Sequence, residues 1–257
     1  MANNTSKNRK AILVTPETCI GCRGCQTACK SWNQLPGVST KNTGTFQNPP
    51  DLASTTFNII RFSELPSEKK DVRWLFVSRR CMHCEEAGCM QICPAPGALF
   101  RTKEGAVAFD RDKCIGCKLC VNACPFDVPR FDAVEGKVAK CHLCFDRTEA
   151  GLEPACTKTC PTGALKYGDR DELINSARKE GFTTIYGEKD LGGLGSLYAF
   201  RDAPKLYGMK DNPAIPSSVV FWHTVLKPFA VVGLGGVVAA AAIHYLAVGP
   251  HKEEEEV

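Results

Sequence analysis

The chain has 257 residues, 44% of them hydrophobic, and a formal charge of +4 at neutral pH. That length allows one large or two ordinary domains, and the composition excludes a disordered or low-complexity chain. The departure from average is cysteine: sixteen of them fall into four groups of four with no remainder, a usage that points to ligands rather than scattered core thiols.

Residues 1–10, "MANNTSKNRK", read as a polar N-terminal tail without the apolar run of a secretory signal. Cys19, Cys22, Cys25 and Cys29 then fall within "CIGCRGCQTAC". Residues 30–80 read as an insertion in which "FNIIRF" and "VRWLFV" are strands and "NTGTFQNPPD" is loop. A plain surface hairpin, a partner contact and a cover over a cysteine group are all open uses for it. The second group is Cys81, Cys84, Cys89 and Cys93, and the third is Cys114, Cys117, Cys120 and Cys124. Between them, short alternating stretches such as "AVAFD" are punctuated by glycine and proline, as in a hairpin with small helices. The fourth group, Cys141, Cys144, Cys156 and Cys160, opens an eleven-residue loop before its closing "CP".

"DRDELINSARKEG" predicts a surface helix ended by glycine. The glycine-rich "GEKDLGGLGSLYAF" predicts turns and a short strand within an extended linker over 183–216. Phe229 to Val248 is twenty residues without formal charge, a helix of roughly 30 Å and so the thickness of a bilayer core. With Trp222 before it and Tyr245 near its end, residues 217–249 are expected to cross a membrane rather than lie in a protein core. Gly235 and Ala239, with Gly236 and Ala240, place small residues four apart for close approach of another helix. His223 and His244 flank the segment and read as interfacial polar residues rather than haem or quinone contacts. Residues 250–257 form an acidic tail.

Three chemistries compete for the cysteines. Disulfides suit secreted small domains, which the polar start does not indicate, and close CxxC pairs bind one shared centre more readily than they bridge distant elements. Zinc sites also use CxxC pairs, but three groups pack all four thiols into eleven to thirteen residues, too little chain to wrap one ion each. The bacterial ferredoxin run CxxCxxCxxxCP fits in detail: "CIGCKLCVNACP" matches it throughout, and "CIGCRGCQTACK" matches except that Lys30 replaces the proline. Sixteen thiolates therefore suit four 4Fe-4S clusters. Each oxidised cube with its four thiolates carries about −2, which turns the formal +4 into about −4 and removes the basis for a nucleic-acid binder.

No GxGxxG after a strand, phosphate loop or nucleophilic triad signature is present, so the chain is read as having no catalytic site of its own. His83 and His142, inside CxxC turns, are expected to hydrogen-bond near a cluster rather than ligate it. Lys30, Arg23, Lys113 and Lys118 are candidates for raising cluster potentials. The expected fold class is α+β: two nested bacterial-ferredoxin-like modules over 11–182, with the 30–80 insertion, plus one C-terminal transmembrane helix.

The stretches "CRGCQTACKSWNQLP", "CPFDVPRF", "KCHLCFDRTEAGLEPACTKTCPTGAL" and "FWHTVLKPFAVVG" together resemble the iron-sulfur beta subunit of respiratory, membrane-bound formate dehydrogenase, from about Lys10 to Pro250. Carried over, the resemblance implies that Cys19, Cys22, Cys25 and Cys160 hold one cube, and Cys141, Cys144, Cys156 and Cys29 its neighbour. Cys81, Cys84, Cys89 and Cys124 would hold a third, and Cys114, Cys117, Cys120 and Cys93 the fourth. Spacing alone leaves other pairings open. The resemblance also implies a molybdenum or tungsten bis-pterin catalytic alpha subunit, a cytochrome b membrane subunit, and an inner-membrane location with the cluster domain on the periplasmic side. The lysines around the helix lean weakly the other way by the positive-inside rule. Alternatives are the equivalent subunit of a polysulfide or dimethyl sulfoxide reductase or of a hydrogenase complex, and a zinc-stabilised, membrane-tethered binding module.

Overall fold

A computed structural model of the chain describes residues 9–66 and 72–249. The acidic tail and all but the last two residues of the polar N-terminal tail lie outside the described residues.

The fold opens with β1 (Lys10–Val14), whose "AILV" is apolar without alternation because both of its faces are covered. The cysteine-bearing helix α1 (Gly24–Trp32) follows, and then the antiparallel pair β2 (Ile59–Pro66) and β3 (Val72–Arg79), in register from Ile59↔Arg79 to Pro66↔Val72. The two expected insertion strands are thus present and form one hairpin. Single-turn helices α2 (Gly88–Gln91) and α3 (Leu119–Asn122) alternate with two small hairpins, β4 (Leu99–Arg101) with β5 (Val107–Phe109) and β6 (Arg130–Asp132) with β7 (Lys137–Ala139). Two more single turns, α4 (Phe145–Thr148) and α5 (Ala155–Lys158), lead to β8 (Leu165–Asp169) and α6 (Arg170–Lys179).

The surface helix predicted from "DRDELINSARKEG" is α6. The Asp169 side chain caps it by accepting from the backbone N–H groups of Asp171 and Glu172, and Gly181 follows its end with φ of 85°. Its buried Leu173, Ile174 and Ala177 pack with Ala11, Leu13, Leu197 and Ala199 on one side of the sheet. Ile12 and Val14 face the other way, into the core that holds the cysteines.

That sheet corrects one expectation. Residues 183–216 are not an extended linker: they supply β9 (Thr184–Tyr186) and β10 (Ser196–Phe200), in the strand order β8-β1-β10-β9. Gly187, Gly192 and Gly193, at φ of 90°, 73° and 106°, turn the chain back between the two strands. The five residues "SLYAF", all buried, can then lie parallel to β1 in register Ile12↔Ser196. The cluster domain therefore extends beyond residue 182, and the residues through Pro216 form one compact unit.

The second unit is helical: α7 (Ser217–Phe221), a π-helical stretch over Trp222–Leu226 and α8 (Lys227–Val248) run without a break. The π stretch ends two residues before Pro228, which has no N–H to donate and whose ring would crowd the carbonyl of Thr224. Ser217–Ala247 contains an 18-residue window of mean hydropathy 1.9 and is long and apolar enough to cross a membrane, in agreement with the span expected there.

Candidate iron-sulfur centres

The CxxC turns share one backbone device. Their third residue is left-handed in all four: Gly21 at φ 67°, His83 at 48°, Gly116 at 69° and Leu143 at 62°. The reversed conformation swings an amide toward sulfur, as where the Leu143 N–H meets Cys141 Sγ at 3.5 Å. Glycine adopts it without strain; His83 and Leu143 are held there by burial. At Gly116 a side chain is excluded as well, since a Cβ would stand 2.2 Å from the Gly136 carbonyl oxygen. After each turn a short helix carries a further thiol: Cys25 on α1, Cys89 on α2, Cys120 on α3 and Cys156 on α5.

Three cavities each gather four thiols. One is lined by Cys19, Cys22, Cys25 and Cys160, a second by Cys81, Cys84, Cys89 and Cys124, and a third by Cys93, Cys114, Cys117 and Cys120. Each draws three thiols from one sequence group and the fourth from another. The remaining four, Cys29, Cys141, Cys144 and Cys156, are all buried; burial, then the nearness of Cys141, Cys156 and Cys144, raises the Cys29 thiol well above its ordinary range. Every cysteine is thus placed, and only Cys22 and Cys117 are exposed. The walls are apolar: Ile20, Ile60 and Leu165 in the first cavity, Val107, Phe126 and Pro129 in the second, and Leu99, Phe109 and Val138 in the third. Ile60 and Ser78 of the insertion hairpin line the first cavity, and the Phe76 ring sits against Gly21. The hairpin is a cover for that group.

Burial pushes the thiols of Cys25 and Cys141 up to about 11, and those of Cys89, Cys120 and Cys144 up to about 12. Bare, these sulfurs would hold their protons at neutral pH, so a ligand that takes thiolate must displace them. Among the described residues no three His, Cys, Asp or Glu side chains close tightly enough to hold a single ion. Four thiols around one apolar cavity without single-ion spacing suit a bulkier polynuclear group. The residues present therefore fit 4Fe-4S cubes.

The groups also lie in a sequence. The Cys25 thiol is raised by burial and by Cys156, Cys141 by burial and by Cys81, and Cys89 by burial and, among its neighbours, by Cys120. These neighbours link the first group to the fully buried one, that to the group around Cys81, and that to the group around Cys117.

Buried polar side chains stand at these junctions. Arg80, with no exposed surface, donates from Nη1 to Cys156 Sγ at 2.9 Å and from Nη2 to Ser78 Oγ, whose hydroxyl donates to Asn58 Oδ1 at 2.6 Å. His83, equally buried, accepts the Val107 N–H at Nδ1 (3.1 Å); its proton therefore sits on Nε2, 3.6 Å from Cys141 Sγ. Burial, reinforced by Lys140, keeps this ring well below the ordinary histidine range and neutral. Lys140 donates to the carbonyls of Val107 and Cys141 and lines the cavities of both the Cys81 and Cys117 groups.

The expected hydrogen-bonding role near a thiol holds for His83. His142 acts at one remove: it meets Asn33 Oδ1 at 2.6 Å, and the Asn33 amide in turn donates to the Cys29 carbonyl at 2.8 Å and reaches Cys29 Sγ at 3.7 Å. Of the cations singled out in the sequence, Arg23 and Lys118 line the first and third cavities while lying over the Phe62 and Phe131 rings, whereas Lys30 turns to the Thr55 carbonyl and Lys113 to Asp110. Sequence reasoning missed Arg80 and Lys140. Both stand directly before the first cysteine of a group, but so does Lys113, which turns to the surface. Position alone could not separate them.

Residues 18–98 and 72–170 match two families of 4Fe-4S dicluster domain, and residues 215–257 match the transmembrane domain of formate dehydrogenase N. The formate dehydrogenase iron-sulfur subunit of Haemophilus influenzae is 40% identical over 258 aligned residues, covering 95% of this chain and 82% of that protein. The chain belongs to the family of formate dehydrogenase iron-sulfur subunits. The formate dehydrogenase-O iron-sulfur subunit of Escherichia coli is also 40% identical, over 96% of this chain and 86% of its own length; the nitrate-inducible enzyme's subunit is 38% identical over 97% and 89%. The similarity to the hydrogenase-2 operon protein HybA, 33% identical, covers 65% of this chain. As a member of the formate dehydrogenase family, the chain is an iron-sulfur electron-transfer subunit with four 4Fe-4S clusters on its sixteen cysteines and an anchoring apolar helix.

Proposed function

We propose that this chain is the wire of a membrane-bound formate dehydrogenase, relaying electrons one at a time from a molybdenum or tungsten bis-pterin catalytic subunit to a cytochrome b subunit that reduces quinone. Cys19, Cys22, Cys25 and Cys160 hold the first cube; Cys29, Cys141, Cys144 and Cys156 the second; Cys81, Cys84, Cys89 and Cys124 the third; and Cys93, Cys114, Cys117 and Cys120 the fourth. The observation that carries this reading is the lining of three separate cavities by three of these sets. Each cube crosses between sequence groups, so the module holding the third and fourth is nested inside the split one holding the first and second. When bound, the cubes supply reversible one-electron oxidation and reduction with no open coordination position for a substrate.

The exposure of the cysteines supports a relay with two ends. The two exposed thiols, Cys22 and Cys117, belong to the first and fourth cubes, which suits ports at the two ends with the second and third cubes buried between them. In this proposal the Cys22 end faces the catalytic subunit and the Cys117 end the cytochrome b subunit. The cluster domain lies on the periplasmic side of the inner membrane.

Replacing Cys117 by Ala tests the order. In the anaerobically purified complex, formate should still reduce the first three cubes, while reduction of the b haem falls at least tenfold. Haem reduction at the wild-type rate would break the proposed order.

A further inference from the structure

Arg80 and Lys140 are buried to 0% and 2% exposure, and among the described residues neither forms an ion pair with a carboxylate. Arg80 meets Cys156 Sγ and Ser78 Oγ, and its Nε has no acceptor; Lys140 meets two carbonyl oxygens. Carbonyl and hydroxyl dipoles do not neutralise a full positive charge removed from water, so each residue calls for a negative partner close by. The neighbours that can supply one are the cysteine sulfurs. Arg80 touches Cys156 and acts electrostatically on Cys25, while Lys140 acts on Cys89 and lines the cavity that holds Cys117 and Cys120.

Resting on the cluster assignments above, we propose that Arg80 and Lys140 are the two internal counter-cations of the relay: Arg80 serves the first and second cubes, Lys140 the third and fourth, and each raises the reduction potentials of the pair it serves. A cube gains one electron on reduction and becomes more negative, so a fixed positive charge beside it stabilises the reduced form. Low local dielectric strengthens the effect, and burial spares it the salt screening that weakens exposed Lys113 or Lys118. His83, neutral and donating toward Cys141, stands at the central junction between the two served pairs. Each half of the relay thereby has its own principal cation, with Lys140 also reaching the Cys141 carbonyl at the junction.

The test is a redox titration of the intact membrane complex, followed by electron paramagnetic resonance, in wild type, Arg80→Gln, Arg80→Lys, Lys140→Gln and Lys140→Arg. Arg80→Gln should shift the reduction equilibrium of two cubes tenfold or more toward the oxidised form, about 59 mV for one electron, and leave the other two unmoved. Lys140→Gln should move the complementary pair, and the charge-conserving variants should restore wild-type potentials. Unmoved potentials in variants that retain all four cubes, or the same pair moving in both Gln variants, would overturn the proposal. If a Gln variant loses iron, its charge-conserving counterpart decides: loading of four cubes at wild-type potentials upholds the role, and lowered potentials refute it. A wild-type complex without four reducible cubes would instead refute the cluster assignments themselves.

Discussion

At the scale of single residues, each sulfur is shared between a local device and a distant one. Cys156 makes this plain: it lies on α5, neighbours Cys25 and Cys141, and accepts a hydrogen bond from Arg80. Replacing it by Ser removes one thiolate and leaves the Arg80 guanidinium facing a harder, neutral oxygen. The expected result is loss or conversion of the second cube, a drop of up to four irons per chain, and an altered spectrum for the first cube. The third and fourth cubes should keep their signals. Unchanged iron content with unchanged reduction of every cube would contradict the assignment of Cys156. Thiols pushed up to about 11 or 12 by burial must shed protons to bind iron, so cluster loading is expected to be favoured as pH rises.

At the scale of elements, the sheet β8-β1-β10-β9 separates two kinds of packing, with α6 on one side and the cysteine core on the other. Asp169 caps α6 with two backbone hydrogen bonds, so Asp169→Ala should destabilise the cluster domain by about 1 kcal/mol and leave the four cubes in place. Thermal unfolding of the loaded protein checks this; no change in midpoint would show that the cap is not needed there. The apolar helix makes a separate prediction. A chain ending at Pro216 should retain its clusters yet be released from washed membranes, and firm retention would show that another surface anchors it.

Which elements the sequence disclosed follows from how local their causes are. The insertion hairpin, α6 and the long helix rest on alternation, a cap and twenty uncharged residues, all visible within short windows. The cysteine groups were equally legible because their spacing is their chemistry. The place of β10 was not: it joins β1 in parallel across more than 180 residues, and its glycine-rich approach resembles a linker until that partner is known. The same limit applies to Arg80 and Lys140, whose neighbours together come from all four cysteine groups.

At the scale of the whole molecule, the chain is a conductor whose charge follows from its ligands and whose anchoring follows from its apolar helix. Its formal +4 becomes about −4 once four oxidised cubes are bound, and that negative charge sits inside rather than on the surface. Inward-facing cations balance part of it, apolar residues line the cavities, and Cys22 and Cys117 are the two exposed thiols, the ports of the proposed relay. Membership of the formate dehydrogenase iron-sulfur family points to formate as the source of its electrons. The most direct measurement is electron paramagnetic resonance of the anaerobically solubilised membrane complex before and after formate is added. The account predicts that formate alone generates the signals of reduced, mutually interacting cubes. Signals that arise only with a strong chemical reductant would contradict it.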